Sequence, residues 1–118
     1  MIGKYSKILI DHFTSPRNIG ILDNYSVKVE GTNESDGDRV LFFISVEDDI
    51  VKDIKFKIKG CPRAIASCSF ASEMVMGKNI SEIMQIDSDL IYQQLEVDKI
   101  FECIPMGIET IKKGLKLI

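Results

Sequence analysis

Apolar residues recur along this chain with two periods, a helical one at both ends and a strand-like one between them. From Ile2 to Phe13 they fall at Tyr5, Ile8, Leu9 and His12/Phe13, the three-and-four spacing of a short amphipathic helix. Ser15-Pro16-Arg17-Asn18-Ile19-Gly20 ends it, because proline disfavours helix in the residue before it and glycine marks a turn. The period then changes to two. Tyr25, Val27 and Val29 alternate with Ser26, Lys28 and Glu30. Val40 to Val46 is almost continuously apolar and predicts a central strand buried on both faces. Glu47-Asp48-Asp49 is its turn, and Ile54, Phe56 and Ile58 then alternate with Lys55, Lys57 and Lys59, one apolar and one basic face. Connections this short predict a three-stranded antiparallel meander.

Beyond Gly60 the period becomes helical. Ala64 to Met76 has no breaker and meets Gly77, a good stop. Ser81 to Gln85 and Asp87 to Leu95 predict shorter helices, the second capped by Asp87 or Ser88. Ile104, Ile108, Ile111, Leu115 and Ile118 form one stripe of a final helix. Strands followed by helices predict an α+β fold. Its three-stranded antiparallel sheet carries helices on one face, with an N-terminal helix and a long C-terminal helix.

The 118 residues suit a single domain over 1–118. A formal charge of −3 argues against nucleic acid as a partner, since phosphate binding wants a basic surface. The longest apolar run, Val40 to Ile44, is far short of the ~20 residues that span a bilayer. Met1-Ile2-Gly3-Lys4-Tyr5 has neither the apolar block of a signal peptide nor an arginine-rich transit pattern. Three cysteines without such a signal read as free thiols in a reducing compartment, so the expected location is cytoplasmic, with no membrane partner.

Two of those cysteines stand in similar places. Gly60-Cys61-Pro62 puts Cys61 at a helix cap, and Glu102-Cys103-Ile104-Pro105 puts Cys103 at the start of the final helix, each with proline in the first turn. The positive end of a helix favours thiolate over thiol, so both are placed to be nucleophiles or metal ligands. The plainer alternative is that two small buried residues happen to precede helices. Asp36-Gly37-Asp38 brackets a glycine with two carboxylates in a polar loop. These are hard oxygen donors suited to iron(II), zinc or magnesium, though an ordinary solvated turn would look the same. Cys68 lies on the Cys61 helix two turns on, among Ala64, Ala66, Ser67 and Ser69, and reads as core. His12, beside Phe13, reads as a packing residue. The Lys55/Lys57/Lys59 face reads as a solvated sheet face that an acidic partner could also use.

Several stretches together resemble the U-type iron–sulfur cluster scaffold family (the IscU type and the N-terminal domain of NifU). They are Tyr5-Ser6-Lys7 through Ile10-Asp11-His12-Phe13, Pro16-Arg17-Asn18-Ile19-Gly20, Ile54-Lys55-Phe56 running into Gly60-Cys61, Ala64-Ile65-Ala66-Ser67, Glu73 and Gly77-Lys78. The resemblance implies an α+β scaffold that receives sulfide from a cysteine desulfurase and iron from a donor. It would assemble a [2Fe–2S] cluster and hand it to apo iron–sulfur acceptor proteins. The family's ligands are three cysteines, an aspartate two residues after the first and a histidine beside the last. This sequence matches at Asp38, Cys61 and Cys103, and places Asp36 where the first cysteine stands and Glu102 where the histidine stands. The family's Leu-Pro-Pro-Val-Lys segment is replaced by Leu95-Glu96-Val97-Asp98-Lys99. The spacing from Cys61 to Cys103 fits the IscU type.

Carboxylates in place of thiolate and imidazole harden the site, so a [2Fe–2S] cluster is held less firmly, or a mononuclear iron or zinc ion is preferred. The expected role is a non-enzymatic scaffold or iron carrier with Asp36, Asp38, Cys61, Glu102 and Cys103 as candidate ligands. Cys103, expected to be exposed and activated, is the candidate sulfur acceptor. A homodimer in which two chains share one cluster is an arrangement left open by the sequence. The alternatives are a sulfur-transfer protein, with a persulfide on Cys103, and a pseudo-scaffold that occupies and regulates the desulfurase.

Overall fold

The computed structural model describes residues 5–118. In chain order it contains α1 (Lys7–Thr14), β1 (Val27–Asn33), β2 (Asp38–Glu47), β3 (Ile50–Lys59), α2 (Pro62–Val75), α3 (Ile80–Met84), α4 (Ser88–Leu95) and α5 (Met106–Leu115). The first four residues of the chain, where the predicted N-terminal helix begins, lie outside the described residues. Ser6 caps α1 by accepting from the Leu9 N–H at 3.1 Å, and its hydroxyl donates to the Leu95 carbonyl at 2.5 Å. The start of α1 is thereby fixed to the end of α4.

The strands form an antiparallel meander in the order β1-β2-β3, as the period-two alternation predicts. Lys28, Phe43 and Lys55 share one row, and Val29, Phe42 and Phe56 the next. Helices α2 and α5 cover the inner face, where Val40, Phe42, Ile44, Ile54 and Phe56 are fully buried. Each such side chain contributes about 1.5–3 kcal/mol of transfer free energy. The outer face corrects the expectation that β2 is buried on both sides. Arg39 is exposed and Leu41 and Ser45 are half-buried, so β2 alternates like its neighbours. Only Phe43 is buried there, with its ring centroid 5.6 Å from that of Tyr25.

The outer edge of β3 is partly covered. Gly20 N–H donates to the Phe56 carbonyl and Phe56 N–H to the Asn18 carbonyl, both at 2.8 Å, so residues 18–20 run beside the strand. The closing helix is not the long one: α5 has 10 residues and α2 has 14. Ile104 lies before α5 and is buried, whereas Ile118 lies beyond it and is exposed. Small residues let α5 approach its neighbours. A methyl at Gly107 would stand 3.0 Å from the Cys68 Cα, and one at Gly114 2.6 Å from Val29. Cys68 is wholly buried in this seam, as its small neighbours suggest. Among the described residues no helix is long and apolar enough to cross a membrane.

Candidate thiol–carboxylate centre

Three segments converge at one end of the sheet. Asp38 opens β2, paired in register with Asn33 at the end of β1. Cys61 follows β3 as the N-cap of α2. Cys103 lies in the turn that precedes α5. One ligand atom from each of Asp38, Cys61 and Cys103 falls within 4.8 Å of the other two.

The backbone explains the convergence. Cys61 has extended dihedrals (φ −73°, ψ 164°) and makes no side-chain cap bond, so its sulfur is left free. Pro62 occupies the first helical turn, where a missing N–H costs nothing. The Asp38 carboxylate lies across the Gly60-Cys61 backbone and accepts the Cys61 N–H through Oδ1 at 3.0 Å. This approach requires glycine at 60, because a Cβ there would stand 2.8 Å from Asp38 Oδ1. Asp38 Oδ2 accepts from Asn33 Nδ2 at 3.3 Å and lies 3.9 Å from Cys61 Sγ. The two sulfurs are 3.7 Å apart. Asp38 is 2% exposed, so its charge faces the thiols rather than solvent.

The two cysteines differ more than their sequence contexts suggest. Cys61 is half-buried, whereas Cys103 is 1% exposed. Cys103 also does not start α5: Pro105 is the N-cap, with right-handed helical dihedrals, and the helix begins at Met106. The predicted exposure and helix activation of Cys103 are therefore both corrected. Burial above all, then the charge of Cys61 and its hydrogen bond, then Asp38 and Asp36, push the Cys103 thiol up to about 12. Burial likewise pushes the Cys68 thiol up. In the metal-free centre Cys103 is thus a neutral thiol at neutral pH, and a cation would relieve the repulsion that keeps it so.

Asp36 and Glu102 are not part of the close group. Both are exposed at its rim, Asp36 accepting from Asn33 Nδ2 at 3.1 Å and Glu102 from the Ser35 hydroxyl at 2.8 Å. Asn33 therefore bridges the carboxylates of Asp36 and Asp38, and Ser35 ties the hairpin loop to the Cys103 turn. Two soft sulfurs and one oxygen on one side, with further carboxylates at the rim, fit a thiophilic cation such as iron or zinc. The close group supplies three donors and leaves a coordination position open.

His12 lies elsewhere, between α1 and α2. Its ring meets Phe70 edge-on at 5.4 Å, its Nδ1 is 2.7 Å from Ser69 Oγ and its Nε2 is 3.6 Å from Glu73 Oε1. Burial and then Arg17 lower its pKa, against opposing effects of Glu73 and Asp11. It is a packing residue, as its position beside Phe13 suggests. Three contributors were not singled out from the sequence: Gly60, Asn33 and Ser35. Gly60 had a readable signal in its place between a strand and Cys61; the others act through contacts that only the folded chain creates.

Comparison with known proteins shows the family. Residues 4–117 match the family described as NifU-like N terminal domain. The chain is 36% identical to the iron–sulfur cluster assembly scaffold protein IscU of Aquifex aeolicus, an alignment covering 98% of this chain and 76% of that protein. It is 37% identical to the corresponding IscU of Haemophilus influenzae, over 94% of this chain and 92% of the relative. Among solved structures, the N-terminal part of a NifU-like protein from Brucella abortus superposes with a TM-score of 0.78 at 18% identity, covering 96% and 92% of the two chains. The chain belongs to the NifU-like N-terminal domain family, and its sheet-and-helix fold is that family's fold.

Proposed function

We propose that this chain is a scaffold for iron–sulfur cluster assembly that works by holding its cargo rather than by turnover. The observation that carries this reading is the set of Asp38, Cys61 and Cys103 donor atoms within 4.8 Å of one another. The naming of its relatives as IscU scaffolds supports it. Iron and sulfide are substrates here, with a cysteine desulfurase as sulfur donor, apo iron–sulfur proteins as acceptors, and a second copy of the chain as a possible sharer of the cluster. Cys61 and Cys103 supply thiolates, the usual holders of such clusters. Asp38 supplies a harder oxygen that binds iron(II) well and thiophilic cargo less firmly, which suits release. Asp36 or Glu102, on the rim, is the candidate for a further oxygen donor. A [2Fe–2S] cluster or mononuclear iron is the expected cargo, and zinc suits the same donors.

The site's chemistry also sets the order of events. Cys61 is the thiol within a donor's reach, so sulfur arrives there unless the Cys103 turn opens. From a Cys61 persulfide, Cys103 attacks the terminal sulfur, the Cys61 sulfur–sulfur bond breaks, and the Cys103 thiol proton passes to the departing Cys61 sulfur, leaving a Cys103 persulfide and a Cys61 thiol. The 3.7 Å separation of the sulfurs favours this exchange. It also motivates a second reading, a sulfur-transfer protein that carries persulfide without building a cluster. Anaerobic reconstitution with iron, cysteine and a desulfurase separates the two. Charge-transfer absorption in the visible with stoichiometric iron supports the scaffold; a persulfide mass gain without iron supports sulfur transfer. Neither signal would overturn both.

A further inference from the structure

Arg63 is the second residue of α2, two positions after Cys61, and Phe101 stands two positions before Cys103. The Arg63 guanidinium carbon lies 3.8 Å from the centroid of the Phe101 ring and 4.9 Å from that of Tyr5. Its Nη2 also donates to the Tyr5 hydroxyl at 3.2 Å. One cation therefore contacts two aromatic rings and joins three segments: the residues before α1, the start of α2 and the turn that carries Cys103.

We propose that Arg63 is a positioning residue whose stack on Phe101 and Tyr5 keeps the Cys103 turn closed over its thiol. Cys103 and Ile104 are buried in the core, but the rest of that turn is held by scattered contacts. No helix or strand includes residues 96–105. Around Cys103 the backbone bonds are single turns at the long end of the range: Phe101 N–H to Asp98 O at 3.2 Å, Ile104 N–H to Phe101 O at 3.3 Å, Met106 N–H to Cys103 O at 3.4 Å. From outside, the Tyr92 hydroxyl donates to the Phe101 carbonyl at 2.8 Å, Ser35 reaches Glu102, and Ser67 makes a long 3.5 Å contact with the Cys103 carbonyl. The Arg63 stack ties this segment to the first turn of the Cys61 helix, alongside the long Ser67 contact further along it. A planar guanidinium suits it, because it lies flat on a ring while its edge donates hydrogen bonds; an ammonium can donate but has no plane to stack. Release of the stack exposes a thiol that is otherwise 1% accessible. This gives Cys103 a conditional part in the sulfur chemistry.

The inference rests on the proposed function only for its biological meaning, since thiol access is measurable without metal or desulfurase. The test is pulsed alkylation of the metal-free full chain with iodoacetamide, read by peptide mass spectrometry, for wild type, Arg63→Ala, Arg63→Lys and Phe101→Leu. Loss of the stack should raise the Cys103 labelling rate about tenfold. Arg63→Lys should behave as Arg63→Ala because it retains the charge without the plane. Cys68, deep in the α2–α5 seam, reports general loosening and should not change. The proposal is overturned if Cys103 labels at the wild-type rate in Arg63→Ala. It is equally overturned if Cys68 accelerates in step with Cys103, which is plain destabilisation, or if Arg63→Lys keeps full protection, which is a charge effect.

Discussion

Cys61 and Cys103 occupy nearly the same sequence context and very different environments. Each has proline within two residues and a helix beyond it, and their sulfurs are 3.7 Å apart. Yet Cys61 caps its helix and is half-buried, while Cys103 sits in a separate turn and is sealed from solvent. The difference shows which physical effect dominates. A helix terminus contributes at most about 1–2 kcal/mol to a nearby charge and acts only within the first turn. Desolvation acts on every buried thiol and is not offset when the neighbours are another cysteine and two carboxylates. Cys103 is therefore raised while in contact with a potential ligand partner, and Cys61 is the thiol that meets solvent. Both face one centre, but the reach to solvent belongs to Cys61.

The largest expected effect comes from removing the accessible thiol. Cys61→Ala should lower retained iron after anaerobic reconstitution by at least tenfold, since losing even an outer partner of a metal ligand costs roughly 10–100-fold. Iron per chain by elemental analysis checks this, and wild-type retention would remove Cys61 from the centre. Next, metal-free wild-type protein should alkylate in the order Cys61, then Cys103, then Cys68. Each tenfold step corresponds to about one pKa unit of thiolate fraction. Cys103 ahead of Cys61 would reverse the division drawn above.

Gly60 sharpens the comparison from the carboxylate side. Gly60→Ala places a methyl against Asp38 Oδ1 and should destabilise the fold by about 1–3 kcal/mol, the usual cost of overpacking. A thermal melt should show a fall of several degrees, with weaker metal binding alongside it; an unchanged melting temperature would mean that Asp38 does not lie across this backbone. The smallest effect concerns His12, away from the thiols. Its folded pKa is depressed below the ordinary 6.5 by burial and by Arg17, so in acid the unfolded chain binds the extra proton more readily. Stability is then fully present above about pH 6.5 and is lost as pH falls toward the lowered folded value. Melting temperatures at pH 7.5 and 5.5 should differ less in His12→Gln than in wild type, and equal pH dependence in both would contradict this.

The strands, the capping of α4 by Asp87, the end of α2 at Gly77 and the coreward Cys68 were legible because each depends on local period or turn chemistry. The burial of β2 was overread. A run such as Val40 to Ile44 does not by itself show that the second face is left open but for Phe43 beneath Tyr25. The site was legible in part: Asp38, Cys61 and Cys103 are named by spacing and resemblance, and the fold brings them together. Asp36 and Glu102 were named with them but lie on the exposed rim, because Asn33 and Ser35 hold them there. The state of Cys103 was misread because burial is set by α2 and the hairpin loop, both distant in sequence. The Arg63 stack left no sequence signature, since Tyr5, Arg63 and Phe101 meet only in the folded chain.

The central claim is that Asp38, Cys61 and Cys103 form one cation-binding centre. Anaerobic titration with iron(II), followed by an iodoacetamide pulse and peptide mass spectrometry, tests it most directly. The account predicts that Cys61 and Cys103 become protected together as iron approaches saturation, that Cys68 labelling does not change, and that Asp38→Ala raises the iron concentration needed. Protection of one of the two thiols without the other, or protection that ignores the loss of Asp38, would contradict it.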